Sequence, residues 1–223
     1  MELPQNLGHR IGILGGTFDP VHNGHLALAE AVKKSFELNS VLFVPSAQPP
    51  HKLTYRISSF ADRLAMLDLA LRERSGFFIS DLEAKRLGPS FSIDTLRSLR
   101  ELLGESVELF FVIGMDAFAE IASWKEYTEL VDYTHFVVAA RPDQCRTKVA
   151  EIIKSSFAGY QRAADESCWQ CAGRLGRIYD LFLTPVAVSS SHLRQEVALG
   201  HAVDALVPEG VGKFIAAKGL YRF

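Results

Sequence analysis

The sequence predicts an α/β protein, a doubly wound parallel sheet formed as a single domain. Short apolar runs alternate along the chain with stretches whose apolar residues recur at helical spacing, and that alternation builds right-handed βαβ units. One of the runs, Ser40 to Pro45, is uncharged and β-branched, as in a parallel strand covered on both faces. The first run ends in a glycine-rich loop and then a helical stretch. At 223 residues, one such domain with insertions accommodates the whole chain.

The elements follow in order. Arg10 to Leu14 is a short apolar run ending in a glycine turn, a buried first strand. From about Gly24 to Phe36, Leu26, Ala29, Val32 and Phe36 give an apolar face at helical spacing. Ser40 to Pro45 is the second strand. Ser58 to Arg74 alternates charges with Leu64, Leu67, Leu69 and Leu71, a helix stopped by Ser75-Gly76, and Phe77 to Ser80 reads as a short strand. Ser92 to Leu103 is a helix with Asp94 in its first turn and Gly104 after its end. Val107 to Ile113 is a strand running into Gly114-Met115-Asp116, His135 to Ala140 is the next, and Tyr179 to Val188 holds the last. Ser191 to Leu199 and Glu209 to Lys218 close the chain as helices, each followed by glycine. Residues 142–177 show no motif beyond three cysteines and are expected to be a variable peripheral segment of a single domain spanning 1–223.

Composition narrows the partners. Hydrophobic residues make up 48% and charged residues 22%, with net charge −2, and mean hydropathy is +0.09. Nothing global favours a nucleic acid or a membrane surface, so phosphate binding has to come from a few placed groups. Residues 1–10 lack a basic leader and apolar run. Cys145, Cys168 and Cys171 form no even disulfide framework, which suits a reducing, cytoplasmic setting. Cys168 and Cys171 have metal or redox spacing, but a metal needs two further ligands; reduced thiols and no metal site are expected.

Open α/β sheets bind ligands at the carboxyl ends of their strands, where this chain carries Gly15 to His25, GGTFDPVHNGH. Gly15 and Gly16 let backbone N–H groups approach a bulky anion, and the helix beginning near Asn23 aims its unsatisfied N–H groups at the same place. The run does not match GxGxxG, and no Lys-Ser or Lys-Thr follows the glycines, so neither common nucleotide loop is present. His22 and His25, three residues apart across the helix start, point the same way and can donate hydrogen bonds to phosphate oxygens. A metal pair is the competing reading, without a carboxylate at ligand spacing nearby. Near the C-terminus, Ser189-Ser190-Ser191 lies at a helix start with Arg194 one turn in. Capping serines and an arginine at one helix end make a second anion clamp.

These two segments resemble the paired signatures of the HxGH nucleotidyltransferase superfamily, which includes cytidylyltransferases, pantetheine-phosphate adenylyltransferase and nicotinate mononucleotide adenylyltransferases. GTFDPVHNGH is similar to its HxGH motif, and VSSSHLR to its ISSTxxR motif, with Ser191 where threonine is usual. The resemblance implies a Rossmann-like nucleotidyltransferase fold and attack of a substrate phosphate on the α-phosphate of ATP, with Mg2+ on the triphosphate. It implies catalytic roles for His22, His25 and Arg194, and ATP contacts for Gly15, Gly16, Thr17, Phe18, Ser189, Ser190 and Ser191. Such a site needs no general base, because the attacking phosphate is already ionised; it aligns two anions and neutralises charge.

Other segments resemble the bacterial nicotinate mononucleotide adenylyltransferases in particular, which make deamido-NAD and pyrophosphate in NAD biosynthesis. They are Pro49-Pro50-His51-Lys52, Ser90 to Leu96 (SFSIDTL, with Phe91 and Ser92 for tyrosine and threonine), Ile113 to Phe118 followed by Trp124, Arg141-Pro142, and the closing Val207 to Tyr221. By that resemblance Lys52, Thr95 and Trp124 bind the mononucleotide, Asp116 contacts the ATP ribose and Arg141 the triphosphate. The partners implied are ATP and nicotinate mononucleotide; assembly as a homo-oligomer stays open. The competing acceptors are nicotinamide mononucleotide and phosphopantetheine, although the pantetheine enzyme usually has threonine at the position of His22. A nucleotide sensor that has lost its chemistry would lack His25 or Arg194, and both are present.

Overall fold

The structure, a computed structural model, describes residues 3–4, 6–49, 57–140, 146–183, 186 and 188–222. Eight strands form one sheet: β1 (Arg10–Gly16), β2 (Ser40–Pro45), β3 (Phe77–Ile79), β4 (Glu108–Gly114), β5 (His135–Ala140), β6 (Gln161–Arg162), β7 (Trp169–Gln170) and β8 (Ile178–Phe182), in the order β3-β2-β1-β4-β5-β8-β7-β6. The strands from β3 to β8 pair in parallel, with Ile13 opposite Leu42 on one side and Phe111 on the other. The short β6 and β7 pair antiparallel with each other, and β7 pairs antiparallel with β8.

Successive strand residues face opposite layers, so each strand feeds two cores. Ile13, Leu42 and Phe111 pack against α3 (Ser92–Leu103), α4 (Met115–Ala119) and α5 (Arg146–Ser156). Leu14, Phe43 and Val112 pack against α1 (Asn23–Ser35), α2 (Phe60–Leu71), α6 (Ser190–Ala198) and α7 (Glu209–Lys218). Helices on both faces confirm the doubly wound α/β class.

The strand order decides where a ligand goes. From β1 the chain winds outward through β2 and β3, then crosses back to lay β4 on the other side of β1. The carboxyl ends of β1 and β4 therefore diverge into opposite-facing connections and leave a crevice. Glycines flank it. A Cβ on Gly15 would touch only the Phe111 ring tip, 3.9 Å away, and one on Gly114 would meet nothing within 4 Å.

Several boundaries differ from the periodicity. The last strand begins at Ile178 and runs to Phe182, opposite Ala140. The helix expected from Ser58 starts later, because the Ser59 hydroxyl caps it by accepting from the Asp62 N–H, and it ends at Leu71. Residues 146–170 hold α5 and the small β6–β7 pair, neither anticipated. Three short 3-10 turns, Leu82–Lys85, Ile121–Ser123 and Tyr127–Asp132, fill connections.

Candidate active site

β1 ends directly in the loop, and protein donors hold that loop's carbonyls. Ser46 N–H donates to Gly16 O at 2.8 Å. Arg63 Nη1 donates to Thr17 O at 2.8 Å, Arg194 Nη1 to Asp19 O at 2.8 Å, and Ser190 Oγ to Pro20 O at 2.9 Å. Committing these oxygens to the protein keeps them from facing an incoming anion. Phe18 takes a left-handed conformation, φ 51, with its ring buried against Phe43. Gly16 accommodates that ring, which would lie 3.1 Å from an added Cβ.

His22 is the N-cap of α1, whose first turn has no acidic residue, so nothing opposes the positive field of its N-terminus. The His22 and His25 rings stack with centroids 3.7 Å apart. The backbone N–H of His22 donates to His25 Nδ1 at 3.2 Å, which leaves the ring proton of neutral His25 on Nε2. His22 is buried, and its Nδ1 has no hydrogen-bond partner among the described residues. Burial lowers its pKa to about 4, against a smaller opposing effect of its own backbone, so the imidazole is neutral at pH 7 in the free site. Gly24 makes this arrangement possible: a Cβ there would lie 3.0 Å from both His22 Nδ1 and Val188 Cγ1.

The start of α6 lies against the same loop. Ser189 caps the helix, its hydroxyl accepting from the His192 N–H at 3.2 Å. Arg194 Nη2 donates to Ser191 Oγ at 3.4 Å, while Ser191 stays exposed and Arg194 half-buried. The contacts of Ser190 and Arg194 with Pro20 and Asp19 join the two helix N-termini into one basic, hydroxyl-rich surface.

Across the crevice, Asp116 is exposed in the first turn of α4, beyond β4. Trp124 is half-buried and meets Phe111 edge to face at 6.2 Å. Thr95 lies deeper, 2% exposed. Its hydroxyl donates to Glu83 Oε1 at 2.6 Å and accepts from Arg86 Nη2 at 2.8 Å, so its oxygen is committed to the protein. Burial raises the pKa of Glu83, although the Thr95 and Ser90 hydroxyls oppose the rise. Ser90 Oγ accepts from the Ala47 and Gln48 N–H groups at 3.0 and 3.1 Å, tying the exit of β2 to the start of α3. Lys125 Nζ reaches both oxygens of Asp94 at 3.1 Å and lies 5.2 Å from the Phe91 ring centre, linking the Trp124 segment to α3. Lys52 and Arg141 lie outside the described residues, as do Pro50, His51, Pro142 and Cys145.

Sequence reasoning missed Arg63 and Glu83. Arg63 shares the buried face of α2 with Met66, Leu67 and Ala70, and a charged residue on an apolar helical stripe is a readable signal of a buried partner. Glu83 gives no such signal, because it lies in a short 3-10 turn without periodicity. A cavity at the opposite end of the sheet is lined by Arg10, Arg100, His135 and Arg177. Arg100 gives its donors there to the carbonyls of Tyr133 and Val107 and Arg10 to Phe36 O and Glu108, a structural use of charge.

Comparison with known proteins agrees with this geometry. A cytidylyltransferase-like family model matches residues 13–196. A probable nicotinate-nucleotide adenylyltransferase of Geobacter sp. (strain M21) is 41% identical, covering 95% of this chain and 98% of the relative. One from Pseudomonas fluorescens is also 41% identical, covering 97% and 99%. Among solved structures, the Plasmodium falciparum nicotinic acid mononucleotide adenylyltransferase complexed with NaAD superposes with a TM-score of 0.72 at 19% identity, over 96% of this chain and 98% of that one.

Proposed function

The chain belongs to the cytidylyltransferase-like family and, within it, to the nicotinate-nucleotide adenylyltransferases, and from that premise we infer that it transfers the AMP moiety of ATP to nicotinate mononucleotide, giving deamido-NAD and pyrophosphate. The observation that carries this reading is the joining of two helix N-termini, those of α1 and α6, by Ser190–Pro20 and Arg194–Asp19 contacts across the mouth of β1.

In this reading the triphosphate lies over Gly15 to Phe18, with its α-phosphate near His22 and His25 and its leaving pyrophosphate toward Ser189, Ser190, Ser191 and Arg194. The acceptor phosphate is ionised at neutral pH, so the chain aligns two anions and neutralises the charge spread on the α-phosphate. His25 offers the proton on Nε2 to a phosphate oxygen. His22, neutral when the site is empty, gains a reason to take up a proton once an anion lies beside it. Asp116 at the head of α4 takes the ATP ribose, Trp124 stacks on the pyridine ring, and Thr95 acts from behind the acceptor pocket through Glu83. Lys52 and Arg141 complete the phosphate contacts.

The site's donors, histidine, arginine, hydroxyl and amide, suit phosphate oxygens rather than a cation. The proposed Mg2+ therefore travels on the triphosphate's own oxygens, where it screens their charge. The reading takes residues 1–223 as one domain with 142–177 at its periphery. Its partners are small molecules, and no helix among the described residues is long and apolar enough to cross a membrane. A cytoplasmic setting is part of the proposal, supported by the free thiols of Cys168 and Cys171.

The test is pyrophosphate release from ATP and magnesium with each acceptor offered separately. The expected order of kcat/KM is nicotinate mononucleotide well above its amide, with phosphopantetheine inactive. Equal use of acid and amide would overturn the acceptor assignment.

A further inference from the structure

The end of the chain closes a contact under the phosphate loop that none of these roles uses. Tyr221, just beyond α7, is 6% exposed, and its hydroxyl donates to Asp19 Oδ1 at 2.6 Å. Asp19 itself is 1% exposed, and its other oxygen accepts from the Ser58 N–H at 3.2 Å. A carboxyl group so deeply buried is tolerable only where donors meet it, so these donors decide where it sits. The same residue's carbonyl is gripped by Arg194, and its neighbours in the loop by Arg63 at Thr17 and Ser190 at Pro20. Asp19 thus gathers the head of α2, the head of α6 and the chain's end under one turn.

Tyr221 also holds a left-handed backbone, φ 64, unfavourable for a bulky residue and kept only where the surroundings over-determine it. Burial, then the Asp19 carboxyl, raise the phenol's pKa, so it stays a donor through the neutral range.

We propose that Tyr221 is a positioning residue of the ATP half of the site: its hydroxyl fixes the Asp19 carboxyl, and through it the turn that carries Thr17, Phe18 and His22 to the triphosphate. This rests on the reading that the loop receives ATP, not on the identity of the acceptor. The closing segment after α7 then belongs functionally to the loop after β1, although Tyr221 and Asp19 stand 202 positions apart in sequence.

Tyr221→Phe keeps the ring and removes one hydroxyl. ATP binding measured by calorimetry without an acceptor is expected to weaken roughly tenfold, the value of one hydrogen bond to a charged group. In turnover, the KM for the mononucleotide is expected to stay within about twofold of the parent. A lower Tm with unchanged ATP affinity would reduce the contact to a structural one and overturn the proposal, as would an equal rise in both KM values. Asp19→Ala supplies an independent arm, and the double variant is expected to bind ATP no worse than Asp19→Ala alone, since that change already removes the acceptor of the Tyr221 hydroxyl. Additive losses would contradict the coupling. If the parent binds ATP yet leaves nicotinate mononucleotide unused, the acceptor assignment fails while the ATP comparison still decides the role of Tyr221.

Discussion

His22 combines burial, a ring nitrogen without a hydrogen-bond partner among the described residues and a stacked second histidine at the place where phosphates are expected to arrive. Two imidazolium rings 3.7 Å apart would repel, and burial already holds the His22 pKa near 4. A polyphosphate reverses that balance, because an adjacent anion favours the charged form. The His22 pKa in the complex then exceeds its value in the free site, and between the two values the complex binds more protons. ATP binding is therefore expected to take up protons between about pH 4 and neutrality, and to tighten as pH falls through that window. Calorimetry in two buffers of different ionisation enthalpy, on the parent and His22→Asn, separates this from protonation of ATP itself. An uptake unchanged in the variant would remove His22 from the phosphate site.

At the scale of elements, the proposed site rests on how α1 and α6 begin. Gly24, in the first turn of α1, is the most exposed to test. Its Cβ in Gly24→Ala would press on His22 Nδ1 and Val188 Cγ1 at 3.0 Å, while alanine favours the helix by about 1 kcal/mol. The two effects separate in the readout: kcat/KM is expected to fall roughly 10- to 100-fold from the misplaced ring, with Tm nearly unchanged. A parallel loss of Tm and activity would instead mean that Gly24 serves folding alone. Helices α3 and α7 occupy the residues that periodicity predicts, Ser92–Leu103 and Glu209–Lys218, because one amphipathic face and a following glycine mark each. The strands β2 and β5 were equally legible as uninterrupted apolar runs between breaks. α4 was not, since five residues are too few to display a period. α5 carries Val149 and Ile153, with Phe157 just beyond its end, at spacing four, a faint signal among charged residues. The motif residues of the loop were legible as a set, but the groups that hold them, Arg63, Asp19 and Tyr221, meet only through tertiary packing, which local spacing does not encode.

For the whole molecule, the order of the sheet places the proposed site, and two histidines withdrawn from water are expected to limit its acid tolerance. His22 and His135 both have pKa values lowered to about 4, in each case chiefly by burial. A group whose folded pKa is depressed below its unfolded value of about 6.5 stabilises the fold above that value and loses the contribution as pH falls toward the folded pKa. Between pH 6.5 and 5 each histidine is expected to withdraw about 2 kcal/mol, so Tm should drop steeply across that interval. ATP is expected to flatten this profile, since a raised His22 pKa in the complex removes part of the loss, and a Tm independent of pH from 7 to 5 would contradict the lowered pKa of both rings. The open β1–β4 crevice remains the organising feature, since the loop after β1 is tied to the α6 terminus while α4 begins at the end of the neighbouring β4.

The central claim concerns one bond, between the α-phosphorus of ATP and the phosphate of nicotinate mononucleotide. The most direct test supplies ATP labelled at its α-phosphorus, with magnesium and the mononucleotide, and follows the label by chromatography. The label is expected in deamido-NAD, one equivalent per pyrophosphate released, with the transfer lost in His25→Ala. Label recovered as AMP, or remaining in ATP while the mononucleotide is unchanged, would contradict adenylyl transfer by this chain.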